Sequence, residues 1–472
     1  MPENKKPEEL IKSKTIAPYQ SYLGVSPQEV GQMLSELGLQ STMDLFSDVP
    51  SHLLLEDPLK IPGPYSEYEL DRIFREIAKK NRTDLKPFLG GGVRQVYVPA
   101  FLEELMRRGE IYTAYTSYQP EVAQGMLQMI YEYESMIAEL TDMDVVSASL
   151  YDWGTALGES ARMMARIKRR NGILVAHPIS PRRLDVLRSY TEPADIHVTV
   201  VDSQGDYDFS TLQELIEKDG AKEKKSREFA GLYLEVPTFH GVLSDKVEEL
   251  ISIAHENDIL VTVGVDMISL GILKPPSSYG ADFVIGEGQV FGNALNAGGP
   301  LLGILAMNFD RKKIQNFPGR LVGKTTELGS DHPGYCITLS TREQHIRREK
   351  ATSNICSNQT LMAINAGIYL ASLGPEGLRE LAQGLMDRAH YLMNGLKGIA
   401  GVNIPYSNVF AEFLVEFEGI SHEQLEKHCM NHGFIPGIKI DGPGCKRLVG
   451  VSDIFHRDDL DEFVNVIREV MS

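Results

Sequence analysis

At 472 residues, with 42% hydrophobic and 24% charged side chains, the chain can bury a large core shared by two or three units, and wholesale disorder or a fibrous protein is excluded. A net charge of −18, with no basic cluster beyond short loops such as 222–228, would repel a phosphate backbone and argues against a nucleic-acid partner. Cys336, Cys356, Cys429 and Cys445 stand far apart with no C-x-x-C pair, no metal centre is signalled, and neither a signal region nor a run of about 18 apolar residues is present, which together suit a reducing cytoplasm.

The first 87 residues read as a helical arm. Ser26 before Pro27 with Glu29, and Ser66 with Glu69, are capping-box starts, and Pro50, Pro58, Pro62 and Pro64 break the stretch between them. Residues 88–340 change pattern: short apolar runs at 145–149, 173–176, 197–201, 231–236, 259–265, 283–285 and 301–307 alternate with helical stretches such as 120–140, 154–168 and 245–257. That alternation predicts βαβ units around a mainly parallel sheet covered on both faces. Residues 341–472 read as a long helical region, 341–373 and 375–397, leading into a smaller α+β domain with a strand at 410–417, helices at 421–431 and 457–470, and an apolar run at 447–450.

The strand series has the order of a fold-type I pyridoxal-phosphate enzyme, aminotransferase-like in architecture. In that fold one strand ends in an Asp that pairs with the pyridine nitrogen, and 261–265 followed by Asp266 fits. About twenty residues on, a lysine is expected for the Schiff base, and Gln289 stands there. An amide cannot serve as that nucleophile. Lys274 precedes two prolines, Lys312 and Lys313 sit in a charged run, and Lys324, in a polar loop, is the remaining alternative.

Three other features bear on chemistry. YTAYTSYQPE, 112–121, gathers Tyr112, Tyr115, Thr116, Ser117, Tyr118 and Gln119 before a helix; rings with polar tips either exclude water from a reacting centre or simply pack with their hydroxyls outward. FLGGGV, 88–93, allows positive φ and close backbone approach. In 341–358, Arg342, His345, Arg347 and Arg348 either bind an anionic group of a partner or are satisfied by Glu343 and Glu349.

Taken together, FLGGGVRQVYVP, YTAYTSYQPEVAQGMLQMIYEYESMIAELTDMDV, SASLYD, GADFVIG and TREQHIRREKATSNICSNQTLMA resemble the N-terminal-half, or alpha, subunits of the glycine decarboxylase family, the P-protein of the glycine cleavage system. The resemblance runs from about residue 26 to the C-terminus. It implies an alpha/beta enzyme in which the beta subunit alone holds pyridoxal phosphate, with Asp266 vestigial here. It also implies decarboxylation of glycine with transfer of the aminomethyl group to the lipoyl arm of the H-protein. By the same resemblance Tyr115, Thr116, Tyr118 and Gln119 complete the partner's site. The sequence departs from the family pattern at Ser117, where proline is usual, at Trp153 in YDWGTALGE, and in GQVFG and GGPLLG across 288–303. A non-catalytic scaffold, and a self-sufficient enzyme using Lys324, are the rival readings.

Overall fold

The computed structural model describes residues 24–55, 59–62, 65–203, 205–356 and 358–472, so Pro58 and Pro64 of the expected loop, the opening decapeptide and Ser357 lie outside the described residues. The chain divides into two compact units, 1–84 and 85–472. In the first, helices α1 (Pro27–Glu36) and α2 (Glu67–Ala78) both begin as the sequence predicts. The hydroxyls of Ser26 and Ser66 accept from the N–H groups of Glu29 and Glu69, whose carboxylates return the bond, and neither helix buries a residue.

The second unit is built on a seven-stranded sheet. Its strands in chain order are β1 (Val145–Val146), β2 (Gly172–Ala176), β3 (His197–Val201), β4 (Phe229–Val236), β5 (Leu260–Val265), β6 (Phe283–Glu287) and β7 (Gly303–Met307). The spatial order is β1-β7-β6-β5-β4-β2-β3. The five strands β2 to β6 are mutually parallel, while β7 runs antiparallel to β6 and β1 antiparallel to β7. Strands this apolar must be covered on both sides, and the side chains divide by the period of two. Leu174, Leu232, Val261, Val263 and Val284 enter one core. Ile173, Val175, Tyr233, Phe283 and Ile285 enter the other.

Helices α3 (Gln124–Thr141), α4 (Trp153–Lys168), α5 (Pro181–Thr191), α6 (Phe209–Gly220) and α7 (Val247–Glu256) follow or precede these strands. Helix α4 is buried over most of its length. It crosses α5 closely because Gly158 has no side chain: a Cβ there would lie 2.5 Å from the Tyr190 ring.

Beyond β7 the structure departs from the sequence reading twice. Lys324 belongs to β8 (Leu321–Thr326), which forms an antiparallel hairpin with β9 (Pro333–Thr338), so it is an exposed strand residue rather than part of a polar loop. The continuous helix expected from residue 341 is replaced by short turns, and the long helix α8 starts only at Thr360 (Thr360–Lys397). Tertiary bonds override the local helical pattern. Arg342 is drawn inward to donate to the carbonyls of Phe317, Gly319 and Leu339, and Arg348 takes a positive φ of 52°. Helix α8 itself breaks at Gly374, φ 62°, before Pro375, between the two helical stretches read from the sequence.

The C-terminal part carries the four-stranded antiparallel sheet β10 (Val402–Asn403), β11 (Glu412–Phe417), β12 (Ile438–Ile440) and β13 (Cys445–Gly450), ordered β10-β11-β13-β12. Helices α9 (His422–Asn431) and α10 (Arg457–Met471) accompany it. Residues 86–87 pair in parallel with 434–435, tying the start of this unit to its end. Phe88, fully buried, continues the tie, with its ring stacked on Phe463 at 4.1 Å and on Phe455 at 4.5 Å. Among the described residues no helix is long and apolar enough to cross a membrane.

Removing the Phe88 ring leaves a cavity between these aromatics, so Phe88→Ala should destabilise the second unit by about 3–5 kcal/mol. Urea unfolding checks this; the exposed Phe309→Ala should leave the midpoint nearly unchanged.

Candidate functional site

At the carboxyl edge of the central sheet, two residues that the sequence singles out, Asp266 and Gln289, come together with a third that it does not, Arg94. Asp266 follows the end of β5, and Gln289 lies two residues beyond β6. Between them stands Arg94, from the segment after the glycine triplet. Its guanidinium is ion-paired with Asp266, and its backbone N–H donates to the Gln289 side-chain oxygen at 3.2 Å. The Gln289 amide nitrogen donates to the Asn293 carbonyl at 2.6 Å, so both ends of the buried amide are engaged. Asp266 also accepts from the N–H of Ile268.

The glycine triplet serves this edge. Gly91 and Gly92 take φ of 85° and 95°, and their N–H groups point at the half-buried Glu412 carboxylate on β11, at 2.7 and 3.5 Å. The close backbone approach expected of these glycines is therefore made to the chain's own Glu412. A Cβ on Gly92 would also strike Trp153 and Arg183.

Trp153 opens helix α4 and is buried. Its indole N–H donates to the Tyr233 hydroxyl at 3.1 Å, and the Arg183 guanidinium lies over the ring at 4.2 Å. Arg183 in turn forms a two-point ion pair with Glu235. Glu287, the last residue of β6, accepts from the N–H groups of Trp153, Gln289 and Leu302. Burial outweighs these donors and pushes its carboxyl up to about 7.

These walls border a cleft of about 930 Å³ that also receives His177, His240, Lys439 and Lys446. Burial depresses His240 to about 4, so that ring is neutral at pH 7, and Lys446 is paired with Glu416. The residues present do not fit a covalently held pyridoxal phosphate. Gln289, where the sequence leads one to expect an amine, is a locked amide, Asp266, the carboxylate expected to meet a pyridine nitrogen, is already occupied by Arg94, and an indole fills the start of α4. Lys274, Lys312 and Lys324 are exposed, while Lys313 pairs with Asp282, and none of the four lines this cleft.

The tyrosine loop lies at a different place. Tyr112 ends a short helix, Tyr115 is 84% exposed, Thr116 is half-buried, Ser117 is buried and Gln119 is exposed. Tyr115, Thr116 and Ser117 line a separate cavity of about 250 Å³, together with Pro300, Arg320 and Thr360, and neither Asp266 nor Gln289 reaches it. The loop is clamped by Gln124, which exchanges hydrogen bonds with the backbone of Tyr335 at 2.9 Å in both directions.

Arg320 is the organiser the sequence reading missed. It donates to the Tyr118 hydroxyl at 2.6 Å with its guanidinium 4.8 Å over the ring, and it faces the buried Glu343 at 3.8 Å. His345 approaches the same Glu343 at 3.6 Å and meets Tyr118 edge-on. Within the basic segment Arg342 is satisfied by backbone carbonyls rather than by Glu343 or Glu349, while Arg347, which donates to the Thr341 carbonyl, and Arg348 are exposed. A lone arginine ahead of an apolar strand gives no local signal, because its partner Tyr118 is 202 residues away. Tyr118 also comes within 3.7 Å of the Cys356 thiol, and desolvation raises its pKa above the ordinary phenolic value.

Comparison with known proteins bears on all of this. The family model described as "Glycine cleavage system P-protein" matches residues 20–467. A protein of Pyrococcus abyssi named "Probable glycine dehydrogenase (decarboxylating) subunit 1" is 41% identical over 450 residues, covering 93% of this chain and 97% of that protein. The crystal structure of an inhibitor-bound glycine decarboxylase (P-protein) of the glycine cleavage system superposes with a TM-score of 0.84 at 34% identity, covering 94% of this chain and 99% of the other. Glutamate decarboxylase of Lactobacillus brevis, at a TM-score of 0.64 and 13% identity over 89% of this chain and 95% of its own, shares the fold alone. The architecture is that of the fold-type I pyridoxal-phosphate enzymes.

The raised Glu287 carboxyl has a consequence for stability. Its folded value of about 7 exceeds its ordinary 4.5, so between these pH values the folded state binds the extra proton, and stability falls as pH rises through that window. The full penalty, on the order of 3 kcal/mol, is present above pH 7 and absent below about 4.5. Urea midpoints measured from pH 5 to 8 should fall less steeply in Glu287→Gln than in the unaltered protein; equal slopes would remove Glu287 as the cause.

Proposed function

Because the chain belongs to the glycine cleavage system P-protein family, we propose that it is the first subunit of a two-subunit glycine dehydrogenase (decarboxylating) and completes a partner's active site without holding the coenzyme itself. The observation that carries this reading is Gln289, a buried amide engaged at both ends at the position of the expected coenzyme lysine. Pyridoxal phosphate, whose chemistry is that of an electron sink for the loss of a carboxylate, is assigned to the second, beta subunit. Glycine is the substrate, and the lipoyl group of an H-protein receives the aminomethyl group.

This chain's own contribution is positional. Tyr115 and Tyr118, with Thr116 and Gln119, present aromatic rings with polar tips that border the shared site, exclude water and donate hydrogen bonds there. Arg320 holds the Tyr118 ring by its hydroxyl and its face, and the Gln124 clamp fixes the backbone behind it. The exposure of Tyr115 supports a role toward a second chain. So do the apolar side chains that the first unit leaves exposed, among them Met33, Leu37, Phe74 and Ile77.

Tyr115→Phe, co-expressed with the beta subunit, should lower exchange of the glycine carboxyl carbon with bicarbonate by about a hundredfold while leaving the size of the complex unchanged. An unchanged rate would remove Tyr115 from the site. If omitting this chain altogether leaves the beta subunit's exchange intact, a scaffold role replaces the catalytic one. The isolated chain, mixed with pyridoxal phosphate and reduced with borohydride, should yield no pyridoxyl-labelled peptide; label on Lys324 would establish the self-sufficient alternative.

A further inference from the structure

Away from both cavities, helices α9 and α10 of the C-terminal part bring three ligand-type side chains together. His428 and His432 are four residues apart on one face at the end of α9, and Glu469 comes from the last turn of α10. One ligand atom of each lies within 4.8 Å of the others. The Glu469 carboxylate oxygen is 4.0 Å from His428 Nε2 and 3.9 Å from His432 Nε2, and the two imidazoles lie 4.4 Å apart. We propose that His428, His432 and Glu469 form a binding site for a single Zn²⁺-class divalent transition metal that staples α9 to α10.

Three features distinguish this cluster from a chance surface ion pair. His432 Nδ1 lies 2.9 Å from the His428 carbonyl oxygen, which only accepts, so the proton resides on Nδ1 and the Nε2 lone pair faces the other two groups. A ring held this way by a backbone carbonyl is the usual outer support of a metal-bound histidine. His428 Nε2 is buried and has no hydrogen-bond partner among the described residues, a costly state for a ring nitrogen that a metal ion would relieve. Glu469 sits at the C-terminal end of α10, where the helix dipole disfavours an anion and a bound cation compensates.

The donor set defines the metal class. Two imidazole nitrogens and one carboxylate suit zinc, cobalt, nickel or copper rather than calcium or magnesium, and leave a fourth position for water. Metal bonds of about 2.0 Å at tetrahedral angles need ligand atoms about 3.3 Å apart. The Glu469 side chain is 63% exposed and His432 is 43% exposed, so both have room to close the remaining gap by rotation. The H-x-x-x-H spacing is visible in the sequence, but its third ligand is 37 positions further on, which hides the set from a linear search.

The test uses the full chain with Zn²⁺ and with Co²⁺ as a visible probe. One Co²⁺ per chain should bind with the intense absorption of a tetrahedral site, Zn²⁺ should displace it, and saturating Zn²⁺ should raise the thermal midpoint relative to EDTA. His432→Ala and Glu469→Gln alter exposed side chains and should melt like the unaltered chain in EDTA, yet lose at least tenfold in affinity together with the Zn²⁺-dependent rise. His428→Ala should do the same, with His428→Gln as its isosteric check. Binding of equal affinity in His432→Ala and Glu469→Gln, or no stoichiometric uptake by the full chain, would overturn the proposal.

Discussion

The ion pair between Arg94 and Asp266 is the constraint on which the carboxyl edge of the sheet depends. A buried guanidinium is tolerable only beside compensating charge, and Asp266, with the fields of Glu412 and Asp453, supplies it. Two of the Arg94 nitrogens nevertheless lack a hydrogen-bond partner among the described residues, so Asp266 carries most of the compensation. The rest of the edge follows from holding Arg94 there. Its N–H orients Gln289, the glycine triplet just before it wraps Glu412, and Glu412 is thereby joined to the same charge network. In an enzyme of this architecture the edge is where a coenzyme would sit; here an arginine from the chain itself takes the acid.

The closed edge and the open tyrosine loop are complementary features of one chain. Trp153, Arg183 and Glu235 form a stack of indole, guanidinium and carboxylate that fills the start of α4 and leaves little freedom to the residues around it. Tyr115 has no such partner among the described residues and is 84% exposed, with Tyr118 beside it held from behind by Arg320. The tyrosine loop presents aromatic side chains outward, while at the carboxyl edge of the sheet Asp266 and Gln289 are already engaged by groups of the chain itself. Buried carboxylates such as Glu287 bear a stability cost for this closure at neutral and higher pH.

Much of the architecture was legible from contiguous residues. Capping boxes at Ser26 and Ser66 start helices because a serine hydroxyl and a glutamate three positions on satisfy each other's backbone donors, whatever lies elsewhere. The seven apolar runs became seven strands because their side chains feed a core on each face. The reading failed where long-range bonds compete with local propensity. Residues 341–359 are helical in composition, yet Arg342 is held by the distant carbonyls of Phe317 and Gly319 together with that of Leu339 close by, and GRLVGKTTE forms a strand because 333–338 offers it a partner.

What the sequence determined by itself is the order of elements, the fold they build, and the presence of an amide, Gln289, where that fold leads one to expect an amine, since each is written in neighbouring residues or in the identity of one side chain. Only the tertiary structure decided that Asp266 is taken by Arg94, that Arg320 positions Tyr118, that Glu287 is buried enough to hold its proton near neutral pH, and that His428 and His432 face Glu469. The physical reason is common to all four. Charge pairing, desolvation and ligand geometry depend on distances through space between residues far apart in the chain, and those distances exist only once the sheet and its helices have closed around them.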